Sequence, residues 1–158
     1  MTVRHDGAGV WPVRLLATTT GWLSRVPLSA LLLLMRLAIG SVFFNAGVLK
    51  YRSFEVTLLL FRDEYKVPIL PAEMAATLAS TFEIGCSLLL VAGLASRLAT
   101  LPILGMIMTI QLFVYPSAWP EHLVWGSILL FLLTRGPGAI SIDRLIGLEP
   151  GAIESRVA

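Results

Sequence analysis

One apolar stretch, residues 28–49 (LSALLLLMRLAIGSVFFNAGVL), constrains the fold more than any other feature of the chain. An α-helix rises about 1.5 Å per residue, so this stretch forms a rod of about 33 Å, long enough to cross a hydrocarbon core of about 30 Å. Arg36 is its one charged residue. A guanidinium about 12 Å along such a rod costs at least about 2.5 kcal/mol unless an anion or water meets it. The stretch therefore predicts a membrane span and a partner for Arg36.

The composition extends this conclusion to the whole chain. The 158 residues are 56% hydrophobic and 14% charged, with a mean hydropathy of +0.82, which excludes an ordinary soluble domain. The net charge is only +2 and the basic residues are scattered, so we expect no nucleic-acid partner. Cys86 is the one cysteine, which excludes an internal disulfide and a thiolate cluster. We expect no metal site and no intrinsic cofactor.

Three more spans are predicted at residues 72–93, 98–115 and 119–134, and the last is the shortest. Residues 51–71 carry too many charges for a span and predict a helix that lies on the membrane surface or partly re-enters it, ended by Pro68 and Pro71. Ser141 is placed to cap a short interfacial helix. The predicted fold is all-α, an integral membrane four-helix bundle with short interfacial helices.

The chain divides by composition into three parts. Residues 1–27 mix tryptophans with arginines and predict an N-terminal interfacial segment, although a loose tail fits the pattern equally well. Residues 28–147 form the membrane domain, and residues 148–158 are a polar tail. Four spans place both termini on one side, which we expect to be the cytoplasmic side of a bacterial inner membrane because it collects seven cations. These are Arg4, Arg14, Arg25, Arg97, Arg135, Arg144 and Arg156.

The candidate site is built on Arg36 and Glu83. Glu83 is the only carboxylate inside another apolar run, at a depth that allows it to pair with Arg36. We expect this pair at the floor of a polar pocket that opens outward. Such a pair can serve folding alone, since breaking a buried salt bridge costs about 3–5 kcal/mol, or it can form a proton or anion site. Both interpretations stay open.

Three further polar residues fall toward the outer side of the predicted bundle. Lys50 shares a helical stripe with Arg36, Gly40, Phe43 and Gly47, opposite Ser41 and Asn45. His122 is either an interfacial aromatic or a group that exchanges protons with a ligand. Gln111 is either a hydrogen bond between helices or a ligand contact. We therefore include Lys50, Gln111 and His122 with Arg36 and Glu83 as candidate ligand-binding residues; no catalytic residue is identified.

Four motifs in order resemble the DoxX family of small four-span membrane proteins. They are RLAIGSVFFNAGVLKY, FEIGCSLLLVAGLASRLAT, His122 with Trp125, and GPGAISID, and the resemblance covers about residues 30–147. LFRDEYKVPILP and EHLVWG further resemble a branch often encoded beside enzymes that make metal-binding modified peptides. The resemblance implies a link to redox chemistry, because the name-giving relatives are linked to a thiosulfate:quinone oxidoreductase and others to complexes that resist oxidative stress. It carries over no catalytic residue.

Three functions follow as hypotheses. The first is a redox-associated membrane subunit that binds a quinone or another small lipophilic ligand in the bundle and works with a protein partner or as a homo-oligomer. The second is a non-enzymatic anchor or assembly factor that recruits a partner through residues 11–26 and 53–65. The third is a small exporter, which four short spans could form only as an oligomer.

Overall fold

The computed structural model describes Trp11, Thr18, Thr20, Gly21 and residues 24–148. Within that part all regular structure is helical, with no strand. The helices in order are α1 (Leu28–Arg52), α2 (Phe54–Leu59), which runs into a first π-helical segment (Leu60–Tyr65), α3 (Ala72–Ala92), α4 (Ser96–Thr109), which runs into a second π-helical segment (Ile110–Val114), a 3-10 turn (Pro116–Ala118), α5 (Trp119–Arg135) and α6 (Ile142–Leu145).

The predicted all-α membrane bundle is confirmed. Three helices in the described ranges are long and apolar enough to cross a membrane: α1, α3, and α4 with its π-helical continuation. Helix α5 has 17 residues and spans about 26 Å, slightly less than the hydrocarbon core. The outer faces expose large apolar side chains to lipid, for example Leu34, Leu88, Leu98, Leu112 and Leu123. The predicted segments 1–27 and 148–158 lie mostly outside the described residues.

Helices α1 and α3 pack closely through glycine. A Cβ on Gly40 would lie 2.7 Å from Val91 Cγ2, and a Cβ on Gly47 would lie 2.8 Å from Glu83 Cβ. Small residues at these positions let the two backbones approach without lipid between them. Arg36 and Phe43, on the same stripe, are buried as well, whereas Ser41 and Asn45 are exposed. The stripe predicted for α1 is therefore confirmed.

The core lies between all four long helices. Ile39 and Phe43 of α1, Leu90 of α3, Ile103 of α4 and Leu129 of α5 are among its buried members. The Phe43 and Trp125 rings meet edge to face with their centroids 5.6 Å apart, a preferred aromatic geometry. Cys86 is buried in the same cluster.

The connection between α1 and α3 is helical, as predicted, but it ends earlier than the prolines. Phe61 packs against Ala75 and Ala76 of α3, which fixes the first π-helical segment on the bundle. The helix then ends because Lys66 adopts a left-handed conformation, with φ 42. The following loop, residues 66–71, carries Ile69 fully exposed at its tip.

The C-terminal loop folds back onto the bundle. Ser141 caps α6, as predicted, by accepting a hydrogen bond from the Arg144 backbone N–H. Asp143 accepts from the backbone N–H groups of Ala95 at 2.7 Å and Ser96 at 3.0 Å. These two bonds satisfy donors at the start of α4 that have no partner within the helix. The loop is thereby held beside the N-terminal half of α1.

Candidate functional site

Glu83 is paired with Lys50. The ammonium of Lys50, in the last turn of α1, donates to both carboxylate oxygens at 2.8 Å each. The Glu83 side chain is only 4% exposed and that of Lys50 22% exposed, so the cation reaches inward from the helix end to meet a buried anion. Thr57 Oγ1 donates to the Lys50 carbonyl at 3.1 Å, which ties the end of α1 to α2.

The predicted Arg36–Glu83 pair is wrong. Arg36 Nη2 instead donates to the Ile140 carbonyl oxygen, and Arg36 Nη1 packs directly over Gly93. The antiparallel register of α1 and α3 explains this, because Gly47 faces Glu83 and Gly40 faces Val91. Arg36 therefore lies at the C-terminal end of α3, whereas Lys50 follows Gly47 by three positions on the same face.

A cavity of about 560 Å³ adjoins the Lys50–Glu83 pair. Its volume falls in the range of about 300–1,000 Å³ that is typical of small-molecule sites. Most of its wall is apolar and comes from α3, α4, the 66–71 loop and both π-helical segments. The wall includes Phe61, Leu78, Phe82, Met106 and Phe113. A mainly apolar cavity with one ion pair suits a lipophilic molecule that carries a polar head.

The two π-helical segments meet at the rim of this cavity. The Tyr65 and Tyr115 rings pack edge to face with centroids 5.8 Å apart, and Tyr115 Oη donates to Glu64 Oε1 at 2.5 Å. Donation to this carboxylate raises the pKa of the Tyr115 phenol above its usual range. Single π-helical turns occur frequently at functional sites. Here they bring two tyrosines and a glutamate to the end of α4.

Gln111 and His122 form a separate polar contact. His122 Nδ1 lies 2.7 Å from Gln111 Oε1, and Gln111 Nε2 donates to the Pro116 carbonyl at 2.9 Å. Because this second bond orients the amide, the oxygen faces the ring and Nδ1 carries the proton. Neither residue lines the cavity. The prediction of a single pocket with all five polar residues is therefore wrong: the structure brings Lys50 to Glu83 and Gln111 to His122.

A DoxX family model matches residues 31–116, more than half of the chain. The chain belongs to the DoxX family. No match is found among curated proteins or among solved structures. In this DoxX protein the matched region contains Lys50, Glu83 and the whole cavity, whereas His122 lies beyond it.

Sequence reasoning missed the aromatic rim of the DoxX cavity. Tyr65 carried a signal, since Phe54, Leu58, Phe61 and Tyr65 recur at helical spacing. Tyr115 carried none, because it follows the second π-helical segment directly and its position depends on that local geometry. No group of three or more His, Cys, Asp or Glu side chains in the ranges described here could hold a metal ion.

Proposed function

We propose that this DoxX protein binds a quinone, or a lipophilic molecule of similar size and polarity, in the cavity beside Lys50 and Glu83. In this proposal it acts as the membrane subunit of a redox partner. The observation that carries the proposal is the position of a buried ion pair on the wall of an otherwise apolar cavity of about 560 Å³. Membrane-embedded ionisable groups generally mark ligand or proton pathways.

The ion pair has the chemistry to hold a quinone head. An ammonium carries three N–H donors, and Lys50 uses two of them on the Glu83 oxygens. The third is available to a ligand carbonyl oxygen. The apolar walls from Phe61, Phe82 and Phe113 suit the ring and the isoprenoid tail. In this arrangement the ion pair orients the quinone head, and the apolar walls bury most of the surface of the ligand.

Glu83 supplies a proton-exchanging group at the same place. Reduction of a quinone to a quinol takes up two electrons and two protons, and oxidation releases them. We assign the electrons to the partner protein and the proton exchange at the ligand oxygen to the Lys50–Glu83 pair. Lys50, at the end of α1 and 22% exposed, is the member of the pair that we expect to exchange protons with water at the membrane surface.

The test is ligand binding by the purified protein. We expect solvent extraction of protein purified in mild detergent to release a quinone, and a short-chain quinone to rebind with one site per chain. Glu83→Gln and Lys50→Met should each weaken that binding at least tenfold. Glu55→Gln is the matched control, because Glu55 is an exposed carboxylate of α2 that does not line the cavity.

The contrary outcome is equally specific. The proposal is rejected if the purified wild-type protein contains no quinone and binds added quinone no more tightly than the Glu83→Gln variant does. Variants that then reduced only the amount of protein in the membrane, and not a partner's activity per molecule, would favour the non-enzymatic anchor instead.

A further inference from the structure

Arg36 is a fully buried cation with unused donors. Its side chain is 1% exposed, and of its three nitrogens Nη2 donates to the Ile140 carbonyl oxygen. Nε and Nη1 have no hydrogen-bond acceptor in the part of the chain that the structure describes. These two atoms carry three of the five guanidinium N–H groups. Buried donors of a charged group are costly to leave unpaired, so an acceptor is expected there.

The neighbouring carboxylate does not satisfy these donors. Asp143 lies close enough to attract the guanidinium, but both of its oxygens accept hydrogen bonds from the backbone at the start of α4. Ser141 is also occupied, since its hydroxyl donates to the Gly138 carbonyl and accepts from the Arg144 N–H. Neither side chain accepts a hydrogen bond from Nε or Nη1 of Arg36.

Arg36 borders a second cavity, of about 460 Å³, at the opposite end of α1 from Lys50. Leu33, Val91, Ile142 and Leu145 form much of its wall. Besides Arg36, the only polar side chain among the described residues that line this cavity is Ser141, whose hydroxyl already forms two hydrogen bonds. The cavity therefore combines an apolar wall with one cation, which is the pattern expected for the anionic end of an amphiphile.

The surroundings of this cavity fit an anion at the membrane interface. The C-terminal loop packs beside α1 here, with Ala139 N donating to Ser29 Oγ at 3.2 Å, so polar backbone lies at this depth. Arg97 Nη1 at this end of the bundle donates to the carbonyls of Leu133 and Thr134, so Arg36 is not the only cation near this face. Several cations at one membrane face attract anionic lipid headgroups.

We propose that the second cavity binds a phosphate group through Nε and Nη1 of Arg36, in the form of the headgroup of an anionic phospholipid. The phosphate oxygens supply the acceptors that the described residues lack, and the apolar wall takes the adjoining acyl chain. This site is separate from the Lys50–Glu83 cavity, so either can exist without the other.

The experiment measures retained lipid by native mass spectrometry. Full-length protein is delipidated in detergent and titrated separately with phosphatidylglycerol, phosphatidylethanolamine and inorganic phosphate. We expect one phosphatidylglycerol to bind at least tenfold more tightly than phosphatidylethanolamine, because the ammonium of the second lipid offsets the phosphate charge that Arg36 attracts, and we expect Arg36→Gln to abolish this preference. Arg135→Gln is the matched control because it removes one exposed arginine from the same end of the bundle.

Every result of this titration either supports or overturns the proposed phospholipid site. Binding of inorganic phosphate as well as phosphatidylglycerol would support the site and show that the phosphate alone is recognised; binding of phosphatidylglycerol without phosphate would support it and show that the acyl chain is needed. Equal loss in Arg36→Gln and Arg135→Gln, or no preference for phosphatidylglycerol in the wild type, would overturn it. Should Arg36→Gln not fold, Leu145→Glu replaces it, because it adds an anion at an exposed position on the wall of this cavity and should abolish the same preference by repelling the phosphate.

Discussion

Lys50 and Glu83 are 33 residues apart in the chain, and the Lys50 ammonium lies 2.8 Å from both oxygens of the Glu83 carboxylate. The long apolar stem of lysine lets the charge reach from the end of α1 to a carboxylate in the middle of α3. The same pair joins the two helices and contributes charged groups to the wall of the larger cavity.

The two members of this pair should not be equivalent in stability. Lys50→Met leaves the Glu83 side chain, only 4% exposed, without its cation, and should lower the free energy of unfolding by about 3–5 kcal/mol. Glu83→Gln leaves a lysine that can turn to water, and should cost less, about 1–3 kcal/mol. Unfolding in detergent, followed by circular dichroism, measures both.

The double variant Lys50→Met/Glu83→Leu is the control for this comparison. Replacing both charges with apolar side chains of similar size removes the buried charge altogether, so stability should return close to that of the wild type. A larger loss for Glu83→Gln than for Lys50→Met would show that the cation, not the anion, is the buried partner.

A side chain at Gly47 should destabilise the contact between α1 and α3. A Cβ at Gly47 would lie 2.8 Å from Glu83 Cβ and 3.0 Å from the backbone N of Ile84, and the backbone cannot move without shifting α3. We expect Gly47→Ala to cost about 1–3 kcal/mol in the free energy of unfolding. Gly85→Ala on α3 is the matched control: nothing lies within 4 Å, so it should be neutral or stabilising by up to about 1 kcal/mol. Equal effects would contradict the close helix contact.

The Tyr115 phenol should lose its proton at a higher pH than an ordinary tyrosine does. Its O–H donates to the Glu64 carboxylate, which raises the pKa of the phenol above the usual 10.0. Because the folded state then holds the proton more tightly than the unfolded state, this contribution to stability is constant below pH 10.0 and is lost as the pH rises above it. The ultraviolet absorbance of phenolate measures the titration.

Two variants assign that late step. Tyr115→Phe should remove it, and Glu64→Gln should move it toward the ordinary range. Tyr51→Phe should leave it unchanged, because Tyr51 is exposed and lies apart from this contact. A late step that survives in Tyr115→Phe would disprove the assignment.

The Gln111–His122 contact should fix the imidazole tautomer. With Gln111 Oε1 2.7 Å from Nδ1, nitrogen NMR of the neutral ring should show the proton on Nδ1. Gln111→Leu should lose that preference and cost about 1–3 kcal/mol, because a buried donor is left unpaired. Ser117→Ala, exposed in the same turn, should change stability by less than about 0.5 kcal/mol. A wild-type ring protonated on Nε2 would refute the geometry.

Much of the fold could be predicted from sequence because it depends on local pattern. The length and periodicity of residues 28–49 predicted both the span and its buried face, and Ser141 predicted the cap of α6, since capping needs only a side-chain oxygen at the right position. The α2 segment ends shortly before Pro68, as predicted, but the break itself lies at Lys66, whose left-handed backbone carries no signal in the sequence.

The pairing of charges could not be predicted in the same way. Lys50 and Arg36 lie on one face of α1, so helical periodicity makes both eligible for Glu83. The choice depends on the register of α1 against α3, which the contacts of Gly40 and Gly47 set. The apolar cavity could not be predicted for a related reason. Its rim depends on where the π-helical turns place Tyr65 and Tyr115, and helical periodicity does not show where such turns occur.

Photolabelling with a short-chain quinone that carries a diazirine tests the proposed cavity most directly. Digestion and mass spectrometry then locate the adducts. We expect them on cavity residues such as Phe82, Met106 and Phe113, with competition by unlabelled quinone and loss in Lys50→Met. Adducts spread instead over lipid-facing residues such as Leu34 and Leu88, and insensitive to competition, would show that the quinone only dissolves in the surrounding detergent and that the cavity does not bind it.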